Sequence, residues 1–122
     1  MKKIVLVVLV LAVAAGAYWY GVGTSRSVVA DVAYVCTEGK TIHATYYEGK
    51  KIEVAPGEQP VPTGSVDVVL SDGRSMTLPQ TLSASGIRYA NQDESLIFWS
   101  KGSGAFVVEG DAETYSGCTE QQ

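Results

Sequence analysis

Few side chains in this chain of 122 residues could carry bond chemistry. His43 is the single histidine. It lies in Thr41-Ile42-His43-Ala44-Thr45-Tyr46, where strand alternation puts Ile42, Ala44 and Tyr46 on one face and His43 on the other, toward solvent. That placement suits a solvated strand residue better than a general base. No Ser-His-Asp or Cys-His motif can be assembled around it. Gly102-Ser103-Gly104 is too short to cradle a phosphate. The carboxylates are scattered through turns, and no pair stands out for glycoside chemistry. Two cysteines and one histidine are too few ligands for a metal site. The expectation is a protein without catalytic residues, metal or cofactor, and not an enzyme.

Two loops stand out instead. Ser83-Ala84-Ser85-Gly86-Ile87-Arg88-Tyr89 runs from small residues into an apolar strand, and Ser100-Lys101-Gly102-Ser103-Gly104 reads as a flexible tip that presents one lysine after Phe98-Trp99. On residue chemistry alone, Lys101 is a solubilising turn lysine and Ser85-Gly86 a bulge or turn. These residues therefore point no further than to a domain that binds something.

The elements that must hold these loops are strands. From Asp31 onward, short alternating segments are separated by turn chemistry. Val66, Val68 and Leu70 point one way, Asp72-Gly73 turns, and Met76 and Leu78 return, which is a strong hairpin signal. Pro79 is expected to end that strand, because it cannot donate to the ladder. Lys50 to Val54 is a further candidate strand, and Ala55 to Gly64, with Pro56, Pro60 and Pro62, is a loop. Ser85 to Tyr89, Glu94 to Trp99, Ala105 to Val108 and Glu113 to Tyr115 complete the set. About eight strands at this spacing imply an antiparallel barrel or sandwich. A small barrel is filled by side chains, here Leu96, Ile97, Phe98, Trp99, Phe106 and several tyrosines, which leaves little room for a ligand cavity.

Residues 1–26 read as a targeting segment and residues 31–122 as the folded domain. Lys2 and Lys3 precede an uncharged run of 19 residues, Ile4 to Val22, containing Tyr18-Trp19-Tyr20 near its end. A cleaved signal peptide, with Ala15-Gly16-Ala17 as its small-residue site, is one reading. An uncleaved membrane anchor is the other, favoured by the length of the run and by aromatics gathered at one end. Either way the domain belongs outside the cytoplasm, in the cell envelope on the periplasmic side, anchored to the inner membrane or released. In that oxidising space Cys36 and Cys118, one near each end of the domain, suit a disulfide, with two free buried thiols as the alternative. A domain of roughly 90 residues has a marginal core and gains from such a staple.

Beyond Arg26 the chain carries six basic against thirteen acidic residues, a net charge of −7 compared with −4 for the whole chain. Phosphate binding needs a basic face, so nucleic acid is an unsuitable partner. A basic protein partner would be drawn in by long-range attraction.

Seven segments, in order, carry a resemblance. They are Tyr34-Val35-Cys36-Thr37-Glu38-Gly39 (Y-x-C-x-x-G), Ala44-Thr45-Tyr46-Tyr47, Leu70-Ser71-Asp72-Gly73-Arg74, Leu78-Pro79-Gln80, Ser85-Gly86-Ile87-Arg88-Tyr89 (S-G-x-x-Y), Phe98-Trp99-Ser100-Lys101-Gly102, and Tyr115-Ser116-Gly117-Cys118. Each is weak alone; together they span nearly the whole domain. The chain resembles the membrane-bound and periplasmic inhibitors of c-type lysozyme, the MliC/PliC family. The resemblance implies an antiparallel β-barrel of about eight strands, a Cys36–Cys118 disulfide, and a c-type lysozyme as partner. It also implies that the loops bearing Ser85 and Lys101 enter the lysozyme cleft. Gly86, Arg88, Tyr89 and Gly102 accompany them as expected contacts, with Arg88 and Tyr89 on the rim. One departure stands out. Membrane-bound members are typically lipoproteins with a cysteine at the end of the signal, whereas the first cysteine here is Cys36, inside Y-x-C-x-x-G. Attachment, if any, must come from Ile4 to Val22. The alternative is a non-catalytic envelope module of the same fold that binds another glycan hydrolase or an envelope component.

Overall fold

The computed structural model describes residues 26–121. The signal or anchor expected at Ile4 to Val22 lies outside the described residues. Among those described, no helix is long and apolar enough to cross a membrane.

Eight antiparallel strands close into a barrel in chain order: β1 (Val28–Val35), β2 (Thr41–Tyr47), β3 (Ser65–Leu70), β4 (Ser75–Thr81), β5 (Ile87–Ala90), β6 (Leu96–Lys101), β7 (Gly104–Glu109) and β8 (Ala112–Glu120). Each strand pairs with its sequence neighbour, and β8 returns to β1. A closed sheet has no unpaired edge to template aggregation. β1 begins at Val28, ahead of the expected Asp31. Arg26, counted above with the N-terminal segment, is tied to the barrel. Its guanidinium donates to both oxygens of Asp67, at 3.2 and 2.7 Å, and lies 3.9 Å above the Tyr47 ring. Hydrogen bonds from Arg26 and Thr77 hold the Asp67 carboxyl below its ordinary range.

Alternation decides which side chains enter the barrel. On β2, Ile42, Ala44 and Tyr46 are buried while His43 is exposed and touches Asp31. On β6 and β7, Leu96, Phe98, Ala105 and Val107 point inward. Ile97, Trp99 and Phe106, expected in the interior, lie on the outer face. There Trp99 and Phe106 form a cross-strand pair with rings stacked 5.7 Å apart. Adjacent positions on one strand cannot both face the core, so of Phe98-Trp99 only Phe98 fills it. Phe98 is fully buried, and Tyr34, Tyr46 and Tyr89 surround it with ring centroids 6.2 Å away.

Two other expectations give way to the closed topology. Lys50 to Val54 is not a strand. In the barrel β2 pairs directly with β3, from Tyr47↔Ser65 to Ile42↔Leu70, so neither strand offers a free edge to a segment between them. Pro79 does not end β4, which runs on to Thr81. The N–H of Gln80 donates to the Gly64 carbonyl at 2.8 Å, so alternation turns the Pro79 nitrogen away from β3. On its other side the β4–β5 ladder comprises only Gln80↔Tyr89 and Thr81↔Arg88. The missing donor of Pro79 is therefore not needed.

The barrel is sealed where its first and last strands meet. The β1–β8 ladder has two register pairs, Tyr34↔Glu120 and Val35↔Thr119. Beside it Cys36 and Cys118 form a disulfide. A bulge makes this geometry available. Between Ala105 and Val107 on β7, β8 advances from Cys118 to Tyr115, one residue more than a regular ladder allows. Gly117, in the left-handed region at φ +60, absorbs the extra residue. The extra residue flips the strand's parity, so Tyr115 and Cys118, three positions apart, both face inward. Without it Cys118 would point to solvent.

Replacing Cys36 and Cys118 together by Ser is expected to cost about 4 kcal/mol of unfolding free energy, because the closed loop is long. Urea unfolding checks this, and dithiothreitol should bring the unmodified protein to the variant's midpoint. A loss under about 1 kcal/mol would mean that the β1–β8 seam is held by its ladder alone.

Candidate functional site

Sequence reasoning singled out the loop before β5 and the turn after β6, and the barrel places them side by side. β5 and β6 are paired, with Ile87 opposite Ser100 and Arg88 opposite Trp99. The Ser83–Gly86 segment then folds over the end of β6. Trp99 Nε1 donates to the Ser85 carbonyl at 2.9 Å, and the Ser83 hydroxyl donates to the same carbonyl at 2.6 Å. Gly86 sits at φ +67 against β6. A Cβ there would lie 2.6 Å from the Ser100 carbonyl oxygen, 2.9 Å from Trp99 Nε1 and 3.2 Å from Lys101 Cβ. Only a residue without a side chain lets the Ser83–Gly86 segment lie this closely on the end of β6.

The Lys101 tip is tighter than the flexible loop expected from its glycines. Lys101 is the last residue of β6 and pairs with Gly104. Gly102 has a positive φ and Ser103 does not, the pattern of a two-residue type II′ hairpin. The Glu120 N–H donates to the Ser103 carbonyl at 2.9 Å, which ties the tip to β8 as well. The Lys101 side chain is exposed on this fixed base.

Ion pairing sets Lys101 apart from most other cations. Arg26 pairs with Asp67, Lys40 with Glu38, Arg74 with Asp72 and Glu109, and Arg88 with Glu94. Among the described residues, Lys50, Lys51 and Lys101 have no carboxylate within 4.0 Å in the structure. All three lie at one end of the barrel, where Lys50, Lys51 and Gly102 line the same cleft of about 730 Å³. The barrel's waist is filled, but its mouth is not. This cleft lies between the mouth and the long β2–β3 connection, outside the interior that side chains fill as expected.

The remaining predicted residues divide. Arg88 lies on the outer face, partly buried. It donates to the Thr81 hydroxyl at 2.8 Å and to Glu94 at 3.3 Å, and stands 5.8 Å from the Trp99 ring centroid. It braces the Ser85 loop from outside. Tyr89 is placed inside rather than on the rim, 4% exposed, at the floor of the cleft. Burial pushes its phenol up to about 12, and burial also raises Tyr34 and Tyr46, whose hydroxyls are hydrogen bonded at 2.6 Å. The mouth thus offers neutral tyrosine hydroxyls below and a mixed rim of charge, with Lys50 and Lys51 beside Glu48, Glu53 and Glu120. Among the described residues there is no cluster of three or more His, Cys, Asp or Glu placed to hold a metal.

Sequence reasoning missed Trp99 as the bracket between the two loops, because its aromatic character suggested core. It also missed the β2–β3 connection as a wall of the cleft. The three prolines marked a loop there, but no local signal marked where its ends meet.

Comparison with known proteins adds to this geometry. The profile of the family described as membrane-bound lysozyme-inhibitor of c-type lysozyme, MliC, matches residues 34–115. A curated protein of Yersinia enterocolitica named membrane-bound lysozyme inhibitor of C-type lysozyme is 43% identical over 53 residues, a stretch covering 43% of this chain and 43% of the relative. No solved structure gives a significant match.

Gly86→Ala is expected to destabilise the barrel by about 1–2 kcal/mol, since the new methyl group meets backbone at a positive φ. Trp99→Phe should cost about 1 kcal/mol by removing one hydrogen bond while keeping the stacked ring. Urea midpoints measure both, and the amide resonances of Ser85 and Lys101 should shift in each variant. Unchanged Lys101 resonances would show that the two loops are not mechanically joined.

Proposed function

The chain belongs to the MliC family of membrane-bound lysozyme inhibitors of c-type lysozyme, and from that premise we propose that it inhibits a c-type lysozyme by inserting the Ser85 and Lys101 loops into the enzyme's active-site cleft. The observation that carries this reading is the junction at Gly86, which packs the loop bearing Ser85 against the base of a two-residue hairpin whose Lys101 has no carboxylate partner among the described residues.

Lysozyme cleaves glycan with two carboxyl groups, one protonated and one ionised. Lys101 brings a compact positive charge with three donors to the ionised partner. Inside a water-poor cleft that attraction exceeds its value on an open surface, though desolvation of both charges offsets part of it. The Ser85 hydroxyl adds a hydrogen bond to the other group. With its carbonyl already taken by Trp99 and Ser83, the loop around Ser85 is held in place before binding, which lowers the entropy cost of association. Seven cations against thirteen acids from Arg26 onward give a net charge of −6, which steers encounter with a basic enzyme, an effect that salt weakens. The inhibitor itself performs no bond chemistry. The domain works in the cell envelope, and since Cys36 is committed to the disulfide it carries no lipid. Any membrane attachment falls to Ile4 to Val22, and cleavage in that segment would release the domain instead.

Lys101→Ala should weaken inhibition by about 2 kcal/mol or more with the unfolding midpoint unchanged. A lysis assay with a c-type lysozyme, titrated with the domain, measures this, and saturating glycan should relieve inhibition by the unmodified protein. Full inhibition by Lys101→Ala would remove that side chain from the mechanism. Inhibition that glycan does not relieve would place binding outside the cleft.

A further inference from the structure

Residues 48–64 connect β2 to β3 without a strand, yet this segment has a built shape. Its ends meet at a neck. Gly49 packs so closely on Thr63 that a Cβ would lie 1.9 Å from the Thr63 carbonyl oxygen. The Thr63 hydroxyl donates to the Lys50 carbonyl at 2.6 Å, and the Gly64 N–H donates to Gln80 Oε1 at 3.2 Å, tying the exit to β4. Between these points Glu58 N–H closes a turn on the Ala55 carbonyl, and Pro56, Pro60 and Pro62 restrict the chain. A compact loop closed at its base is an Ω-loop, a form frequently given to function.

The loop also gathers apolar surface. Among the described residues eight large apolar side chains are exposed, and six of them, Val28, Val29, Ile52, Val61, Leu82 and Ile87, belong to this loop or to the strand ends and loop beside it. Ile52, Val61, Val29 and Ile87 line the cleft at the barrel mouth together with Ser100 and Gly102. Single exposed apolar residues are ordinary, but a cluster on one face bordered by charged groups marks an interaction site. The cleft has two sides. One is the Ω-loop; the other includes Ile87 and Gly102, the residues that immediately follow Gly86 and Lys101.

We propose that the Gly49–Thr63 Ω-loop is a second contact lobe for the same lysozyme, and that Ile52 and Val61 on it determine which c-type lysozymes are bound tightly. The inference rests on the reading that the Lys101 tip enters the enzyme's cleft. Gly102 of that tip and the apolar wall line one cleft, so a partner that takes up the tip comes close to the wall. The division of labour follows from chemistry. Lys101 and Ser85 address catalytic carboxyl groups that every active lysozyme of this kind must keep, so they cannot tell one from another. Discrimination has to come from surface outside the catalytic centre. The Ω-loop supplies apolar contact there on a restrained backbone. Contact of this kind acts mainly on dissociation rate.

The test measures the affinity of the unmodified protein, Ile52→Ser/Val61→Ser and Lys101→Ala for two c-type lysozymes that differ outside the active-site cleft. Ile52 and Val61 are about half exposed, so the double variant should keep its circular dichroism and unfolding midpoint. Its affinity should fall tenfold or more for at least one enzyme, chiefly through faster dissociation, and the ratio between the enzymes should change at least threefold. Lys101→Ala should weaken both by similar factors. Double-variant affinities within twofold of the unmodified protein for both enzymes would overturn the proposal and leave the role of Lys101 standing. No binding by the unmodified protein would overturn the underlying reading and this inference with it. Hydrogen exchange on the unmodified protein gives a second reading. Lysozyme should protect residues 50–62 along with residues 84–102, and protection confined to the latter would also overturn the proposal.

Discussion

Closure of the barrel is the constraint on which the rest of the structure depends, and it is held at two narrow seams. Most neighbouring strands share four or more register pairs, but β1 and β8 share two and so do β4 and β5. Each narrow seam has its own reinforcement. At β1–β8 it is the Cys36–Cys118 bond, backed by the Thr37 hydroxyl, which donates to the Ser116 carbonyl at 3.1 Å. At β4–β5 it is the pair Thr81 and Arg88, bonded through both side chains and the Arg88 carbonyl. The β4–β5 seam ends at the loop that carries Ser85. The Ser85 loop therefore emerges where the sheet is thinnest, and its position is set by side chains, Trp99 and Arg88, more than by ladder.

Charge is distributed with a similar economy. Arg74 is drawn into a network with Asp72, Glu109 and Thr114 at the far end of the barrel, where hydrogen bonds to Arg74 hold both carboxyl groups below their ordinary range. Arg26 and Arg88 brace the barrel wall. Exposed pairs of this kind contribute little energy each, but they remove those cations from the set that could serve a partner. What is left lies around the mouth: Lys101 on its hairpin, and Lys50 and Lys51 at the base of the Ω-loop. An acidic domain thus presents its uncommitted positive charge at one end.

Much of the fold was legible in the sequence because alternation and turn residues are local signals. The strands around Ile42, Val68, Phe98 and Val107 and the Asp72-Gly73 reversal follow from a few adjacent residues each, and the disulfide from the chain having a single pair of cysteines. Two of the errors depend on what lies across the ladder. Pro79 looks like a strand terminus until the direction of its missing donor is known. Lys50 to Val54 looks like a strand until β2 and β3 are seen to pair directly. Trp99 and Phe106 look like core until strand parity puts them outside, stacked on each other. For the candidate site, residue type and motif order pointed to Ser85, Gly86, Lys101 and Gly102, but not to Gly86 as the point where the two loops touch. Tyr89 was assigned to the rim by its neighbours in the motif, and β5 turns it inward.

The bulge at Gly117 has a consequence for the order in which the molecule can be made. It brings Cys118 inward to a partner 82 positions earlier in the chain. A polypeptide emerging from its N-terminus, from a ribosome or through a membrane channel, presents Cys36 long before Cys118. Until β8 follows, β1 has β2 on one side and nothing on the other. Neither the β1–β8 seam nor the disulfide can form before the last strand arrives, so the covalent lock comes last.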